Sequence, residues 1–175
     1  MPLIRQIAQL GHPVLREPAR AVDLPASDLL RALVHDMLAT MLDAEGVGIA
    51  APQVYEGVSL FIVASKPNAR YPEAPAMEPE VVVNPEIVER SEEIIKGWEG
   101  CLSIPGIRGN VPRHQSIRVR YRRLDGSSVD REFEGFVARV FQHEDDHLRG
   151  IVFLDRLESS RDIVTEKEFR KLSDR

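Results

Sequence analysis

The chain predicts a mixed α and β fold. Two stretches carry helical periodicity, several short runs have strand character, and Asp125-Gly126 marks a hairpin turn between two of those runs. Its 175 residues suit one domain spanning 1–175, long enough to bury a core. The net charge of −5 gives no general attraction to nucleic acid. Cys101 is the only cysteine, so an intramolecular disulfide is excluded, which fits a reducing cytoplasm. No stretch is long and apolar enough to span a membrane, and the first residues lack a signal-peptide pattern.

In chain order, residues 1–26 contain Gly11, Pro13, Pro18 and Pro25 and read as an irregular arm wrapping the domain. At most they hold one helical turn near Val14 and Leu15. Ser27 or Asp28 then caps a helix whose stripe is Leu29, Leu30, Leu33, Val34, Met37, Leu38, Met41 and Leu42. Its methionines read as core filling. The run Gly46-Val47-Gly48-Ile49-Ala50-Ala51-Pro52-Gln53 allows close backbone approach. Gln53 by itself is as readily a surface residue as a ligand-facing amide.

Residues 58–64 read as a buried strand. Residues 66–80 carry four prolines and no periodicity, which predicts a loop, expected to flank the functional cleft as a mobile flap. Short strands are expected at 81–83, 87–88 and 94–95. Residues 117–121 alternate, with Ile117, Val119 and Tyr121 on one face and arginines on the other, a solvated face in an acidic chain. A strand follows the hairpin turn at 128–134, another is expected at 151–154, and residues 162–175 suggest a short exposed helix.

The chemistry concentrates in Gln142-His143-Glu144-Asp145-Asp146-His147, an H-E-x-x-H motif. At about 100° per residue, Val140, His143 and His147 fall within about 60° of Phe136 on one helix face. Two histidines on a core-facing stripe must satisfy four ring nitrogens, and one divalent cation between them helps do so. Glu144 projects beside the pair, within reach of a water, and Gly150 is a natural end to the helix. A third ligand is needed. The peptidase extension of the motif would place a histidine where Phe153 stands. From spacing alone, Glu158, Glu166 and Cys101 all stay open. Cys101 lies between Gly100 and Gly106 in what reads as an irregular segment, and a thiolate suits a borderline metal.

Three segments together resemble peptide deformylase. They are Gly46-Val47-Gly48-Ile49-Ala50-Ala51-Pro52-Gln53, Glu99-Gly100-Cys101-Leu102-Ser103, and Gln142 through Gly150, matching G-x-G-x-A-A-x-Q, E-G-C-L-S and Q-H-E-x-D-H-L-x-G. The resemblance covers most of residues 1–157. It implies an α+β fold, with small antiparallel sheets around a central helix carrying the HExxH motif. It implies Cys101, His143 and His147 as metal ligands, with ferrous iron (Fe2+) in the cell and Zn2+, Ni2+ or Co2+ as substitutes. The implied reaction removes the formyl group from the N-terminal formyl-methionine of new polypeptides and releases formate. Glu144 is then the general base, and Gln53 and the Leu102 N–H stabilise the oxyanion. Val47 and Gly48 pair with substrate backbone, and Phe136 and Val140 face the methionine side chain. The implied partners are N-formylmethionyl peptides and, transiently, the ribosome, in the cytoplasm, with neither membrane nor specific nucleic acid. The alternative enzyme is a zinc metallopeptidase sharing only HExxH. A structural metal site ranks last, because it needs four protein ligands and has no use for Glu144.

Overall fold

A computed structural model describes residues 2–23, 25, 27–67, 71 and 74–173. The N-terminal arm is irregular apart from a single 3-10 turn at Pro13–Arg16. It is tied down by backbone hydrogen bonds: Ala8 donates to Gln53, Leu10 to Ser103 and Ala19 to Leu148. Helix α1 (Asp28–Asp43) begins at Ser27, whose side chain accepts from the Leu30 N–H. Its buried stripe includes Leu30, Leu33, Val34, Met37 and Met41. Leu29 and Leu42, expected in that stripe, are exposed at its margins. Asp36 and Thr40 are buried instead, because they receive the backbone of Leu3 and Arg5 from the arm.

A five-stranded antiparallel sheet follows, in the order β1 (Gly48–Ala50), β2 (Leu60–Ser65), β3 (Met77–Arg90), β6 (Ser116–Arg122), β7 (Ser128–Glu134). Strand β2 explains how it packs. Leu60 and Ile62 join the α1 core, while Phe61 and Val63 join the core under helix α2 (Gly135–Leu148). Both faces are covered, so β2 reads as an unbroken apolar run. The alternation in β6 is as expected, with Ile117, Val119 and Tyr121 buried. A second antiparallel sheet joins β4 (Ile94–Cys101), β5 (Ile104–His114) and β8 (Ile163–Thr165). Helix α3 (Glu166–Ser173) follows β8.

Several expectations change. The runs at 81–83 and 87–88 belong to one long strand, which already starts at Met77 inside the expected loop. Pro79 is tolerated because it lies where the β2–β3 register shifts between Val63 and Ser65, so no ladder bond is required of it. Of the expected flap, 68–70, 72 and 73 lie outside the described residues. The run at 94–95 opens a strand that continues through Cys101, and β5 was not expected at all. Cys101 therefore ends a strand, at a hairpin tip closed by its pairing with Ile104. The expected strand at 151–154 is replaced by a 3-10 turn at Phe153–Arg156, because the Asp155 carboxylate caps the Val152 N–H at 2.9 Å and turns the chain locally. The C-terminal helix is docked, not merely exposed: Phe169 meets Trp98 with ring centroids 5.5 Å apart.

Candidate active site

Helix α2 brings the motif together. It lies on the large sheet through Ala138, Val140 and Phe141, with Phe141 edge-on to Phe61 at 4.9 Å. It ends at Gly150, where φ is +73° and a Cβ would stand 2.4 Å from the Arg16 carbonyl oxygen, so only glycine serves there. His143 and His147 are both buried on the helix, with ring centroids 5.1 Å apart. The hairpin tip of the small sheet supplies Cys101, whose Sγ is 3.3 Å from His147 Nε2. Ligand atoms of Cys101, His143 and His147 all lie within 4.8 Å of one another. A tetrahedral metal with bonds of about 2.0–2.3 Å separates its ligands by about 3.5 Å, so this donor set fits one cation.

The charges around the three agree with that fit. Burial would depress His143, but Cys101 and Glu99 outweigh it and hold its proton affinity well above the ordinary value. Positive charge is thus favoured at this buried point. His147 is driven the other way, by burial and by the neighbouring His143 and Arg113, and so stays neutral. Neither Glu158 nor Glu166 takes part. Glu158 pairs with Lys96 and Glu166 with Arg108.

Glu99 is the residue that sequence reasoning quoted without giving it work. Residues two apart share a strand face, so Glu99 is buried beside Cys101 against α2. Its Oε2 accepts from His143 Nδ1 at 2.9 Å, leaving Nε2 as the free ring nitrogen. Arg113 donates to both Glu99 oxygens at 2.9 and 3.0 Å and reaches Asp146 at 2.6 Å. Arg139 adds a bond to Glu99 at 2.9 Å. Gln142, the first residue of the motif, pins α2 to β5 by exchanging hydrogen bonds with the backbone of His114. The strand period could have found Glu99. Nothing in the irregular text of β5 marks Arg113.

Glu144 is buried, and its Oε2 has no hydrogen-bond partner among the described residues. Burial pushes its carboxyl up to about 7. Gly48 makes room for it, since a Cβ there would lie 2.4 Å from Glu144 Oε1. Gln53 is likewise buried; its Oε1 accepts from the Ala50 N–H at 2.9 Å, which turns its amide nitrogen to Ser103 Oγ at 3.1 Å and Cys101 Sγ at 3.5 Å. Val47, Gly48, Gln53, Leu102, Phe136 and Val140 line one cleft with Cys101, His143 and Glu144. Every residue expected in the site therefore borders this cleft except His147, which is buried behind it. Ala50 and Ala51 are buried in the core. Tyr71, Trp98 and Arg139 also line it and were not expected.

Residues 4–162 match the family model described as polypeptide deformylase. Peptide deformylase 2 of a Nostoc species is 52% identical over 171 residues, covering 98% of this chain and 96% of that protein. Peptide deformylase 2 of Shewanella oneidensis is 53% identical over 150 residues, covering 86% and 82%. The class I type b peptide deformylase of Acinetobacter baumannii, solved with Met-Ala-Ser bound, superposes with a TM-score of 0.87 at 48% identity, over 90% of this chain and 100% of that one. The Thermotoga maritima peptide deformylase gives 0.80 at 37%, over 91% and 100%.

Proposed function

The chain belongs to the peptide deformylase family, metal-dependent hydrolases acting on nascent polypeptides, and we propose that Cys101, His143 and His147 hold its metal while Glu144, Gln53 and Leu102 carry the chemistry. The observation that carries this reading is the meeting of one thiol and two imidazoles beside a buried carboxylate whose Oε2 has no hydrogen-bond partner among the described residues. A divalent cation held by these three residues would supply Lewis acidity and would bring the ionisation of a water towards neutral pH. Glu144 takes that water's proton and returns it to the leaving amine; a carboxyl pushed up to about 7 suits both directions. The Gln53 amide, already held by Ala50, and the Leu102 N–H at the hairpin tip are the donors for the oxyanion.

Both β1 and β4 are edge strands, and both border the cleft. A peptide laid between them gains backbone partners, with Val47 and Gly48 on one side. Phe136 and Val140 receive the first side chain, and the Met-Ala-Ser bound in the Acinetobacter structure supports methionine there. The abutment of Gly48 on Glu144 leaves little room beyond the carbonyl, which favours a formyl hydrogen over a larger acyl group.

Ferrous iron is the proposed metal, with zinc, nickel or cobalt able to replace it, since one thiolate and two imidazoles suit all of these. The proposed place is the cytoplasm, in one domain spanning 1–175, with only transient ribosome contact for a chain of net charge −5. No helix among the described residues is long and apolar enough to cross a membrane. The test is formate release from formyl-Met-Ala-Ser beside acetyl-Met-Ala-Ser and an unfolded protein. Rapid release from the formyl peptide alone is expected. Internal cleavage with formyl peptide left intact would point to a metallopeptidase instead.

A further inference from the structure

Tyr71 stands on the cleft wall, yet nothing in the site just described uses it. Its ring is 5.2 Å from that of Phe136, tilted by 59°, and its hydroxyl accepts from the Gly100 N–H at 3.2 Å. It thus touches both the apolar side of the cleft and the β4 edge next to Cys101. From outside the cleft, the Arg108 guanidinium lies 4.8 Å from the Tyr71 ring centroid and 4.8 Å from that of Phe169. A planar cation between two aromatic faces fixes the position of both rings.

Arg108 is in turn held from the C-terminus. Its side chain is 1% exposed, and Glu166 chelates it with two bonds of 2.8 and 3.1 Å. The β5–β8 register sets Arg108 opposite Val164, so the chain delivers Glu166 to it two residues later. The order of contact is α3, Arg108, Tyr71, cleft.

We propose that Tyr71 is a specificity-determining residue, the wall against which the substrate's first side chain packs, and that α3 positions it through Arg108 and Glu166. This rests on the deformylase reading of the site. An α3 that only covered the small sheet would have no effect on substrate affinity.

The test is steady-state formate release by the metal-loaded full chain, with formyl-Met-Ala-Ser and formyl-Ala-Ala-Ser. Tyr71→Ala is expected to raise KM for the methionine peptide about tenfold, with kcat within about twofold and a smaller preference for methionine over alanine. Tyr71→Phe keeps the ring and should recover most of the loss. Glu166→Ala should raise KM in the native background but not in the Tyr71→Ala background, because both changes remove the same wall. Metal content and the emission of Trp98, the only tryptophan, report an intact fold. If Tyr71→Ala loses metal, Tyr71→Leu makes the same comparison. An unchanged KM in metal-loaded Tyr71→Ala, or equal effects of Glu166→Ala in both backgrounds, overturns the proposal. Absence of formate from the metal-loaded wild type overturns the deformylase reading itself, a result no variant can mimic.

Discussion

Helix α2 stands between two sheets that grip it by different means. Towards the five-stranded sheet, Ala138, Val140 and Phe141 meet Phe61, Val119 and Phe133 in a wholly apolar contact. Towards the three-stranded sheet, the contact is buried charge and amide: Glu99 and Arg113 face His143 and Asp146, and Gln142 clasps the backbone of His114. Apolar burial is non-directional and places the helix. Charge-assisted hydrogen bonds are directional and orient what the helix carries. The proposed metal ligands sit where the two meet, with histidines from the helix and Cys101 from the charged side.

The largest expected effect is at Glu144, which neither contact holds. Glu144→Ala should lower kcat by about two to four orders of magnitude while leaving close to one metal per chain. Atomic absorption on the assayed sample checks this, and loss of the metal would make Glu144 a ligand. Arg113→Met strikes the charged contact. Breaking a buried pair leaves Glu99 and Asp146 uncompensated and should cost about 3–5 kcal/mol in urea unfolding of the metal-free chain.

The same contact has a pH signature. Burial alone would raise the Glu99 carboxyl, but Arg113 and the His143 hydrogen bond overcome it and hold it well below the usual range. A carboxyl lowered in the folded state adds stability above its unfolded value and loses it as pH falls through the folded one. The metal-free wild type should therefore lose stability below about pH 4, and Arg113→Met should flatten that part of the profile. Gly48→Ala comes next. Its Cβ would displace the Glu144 carboxylate, and a misplacement of that kind should reduce kcat about 10- to 100-fold with metal retained. The smallest change is on the outer face of the large sheet, where Arg118 pairs with Asp130 and Glu89 in solvent. Arg118→Ala should alter stability by less than about 1 kcal/mol. A cost equal to that of Arg113→Met would erase the distinction between the sheets.

That distinction also separates what the sequence made legible from what it hid. The elements of the apolar side announced themselves through period: the stripe of α1, the alternation of β6 and the histidine face of α2. The charged side did not. Strand β5 reads Ile104-Pro105-Gly106-Ile107-Arg108-Gly109-Asn110-Val111-Pro112-Arg113-His114, in which buried arginines occupy inward positions and no hydrophobic period survives. The grouping of Cys101, His143 and His147 was legible because H-E-x-x-H has one mechanical meaning and the cysteine motif carries a family resemblance. Glu99, the orienting partner of His143, lies 44 residues away and is marked only by the strand period, while Arg113, which holds Glu99, sits on β5, where no local pattern encodes it. Tyr71 escaped for a related reason: its partners Phe136, Gly100 and Arg108 are all distant in the chain.

The central claim is one metal held across the seam between the two sheets, by Cys101 from one side and His143 and His147 from the other. Titrating the metal-free chain with cobalt(II), while recording the absorbance spectrum and formate release from formyl-Met-Ala-Ser together, tests it most directly. The account predicts a thiolate-to-cobalt band that grows with activity, both saturating at one equivalent. Full activity without that band, or saturation at another stoichiometry, would contradict it.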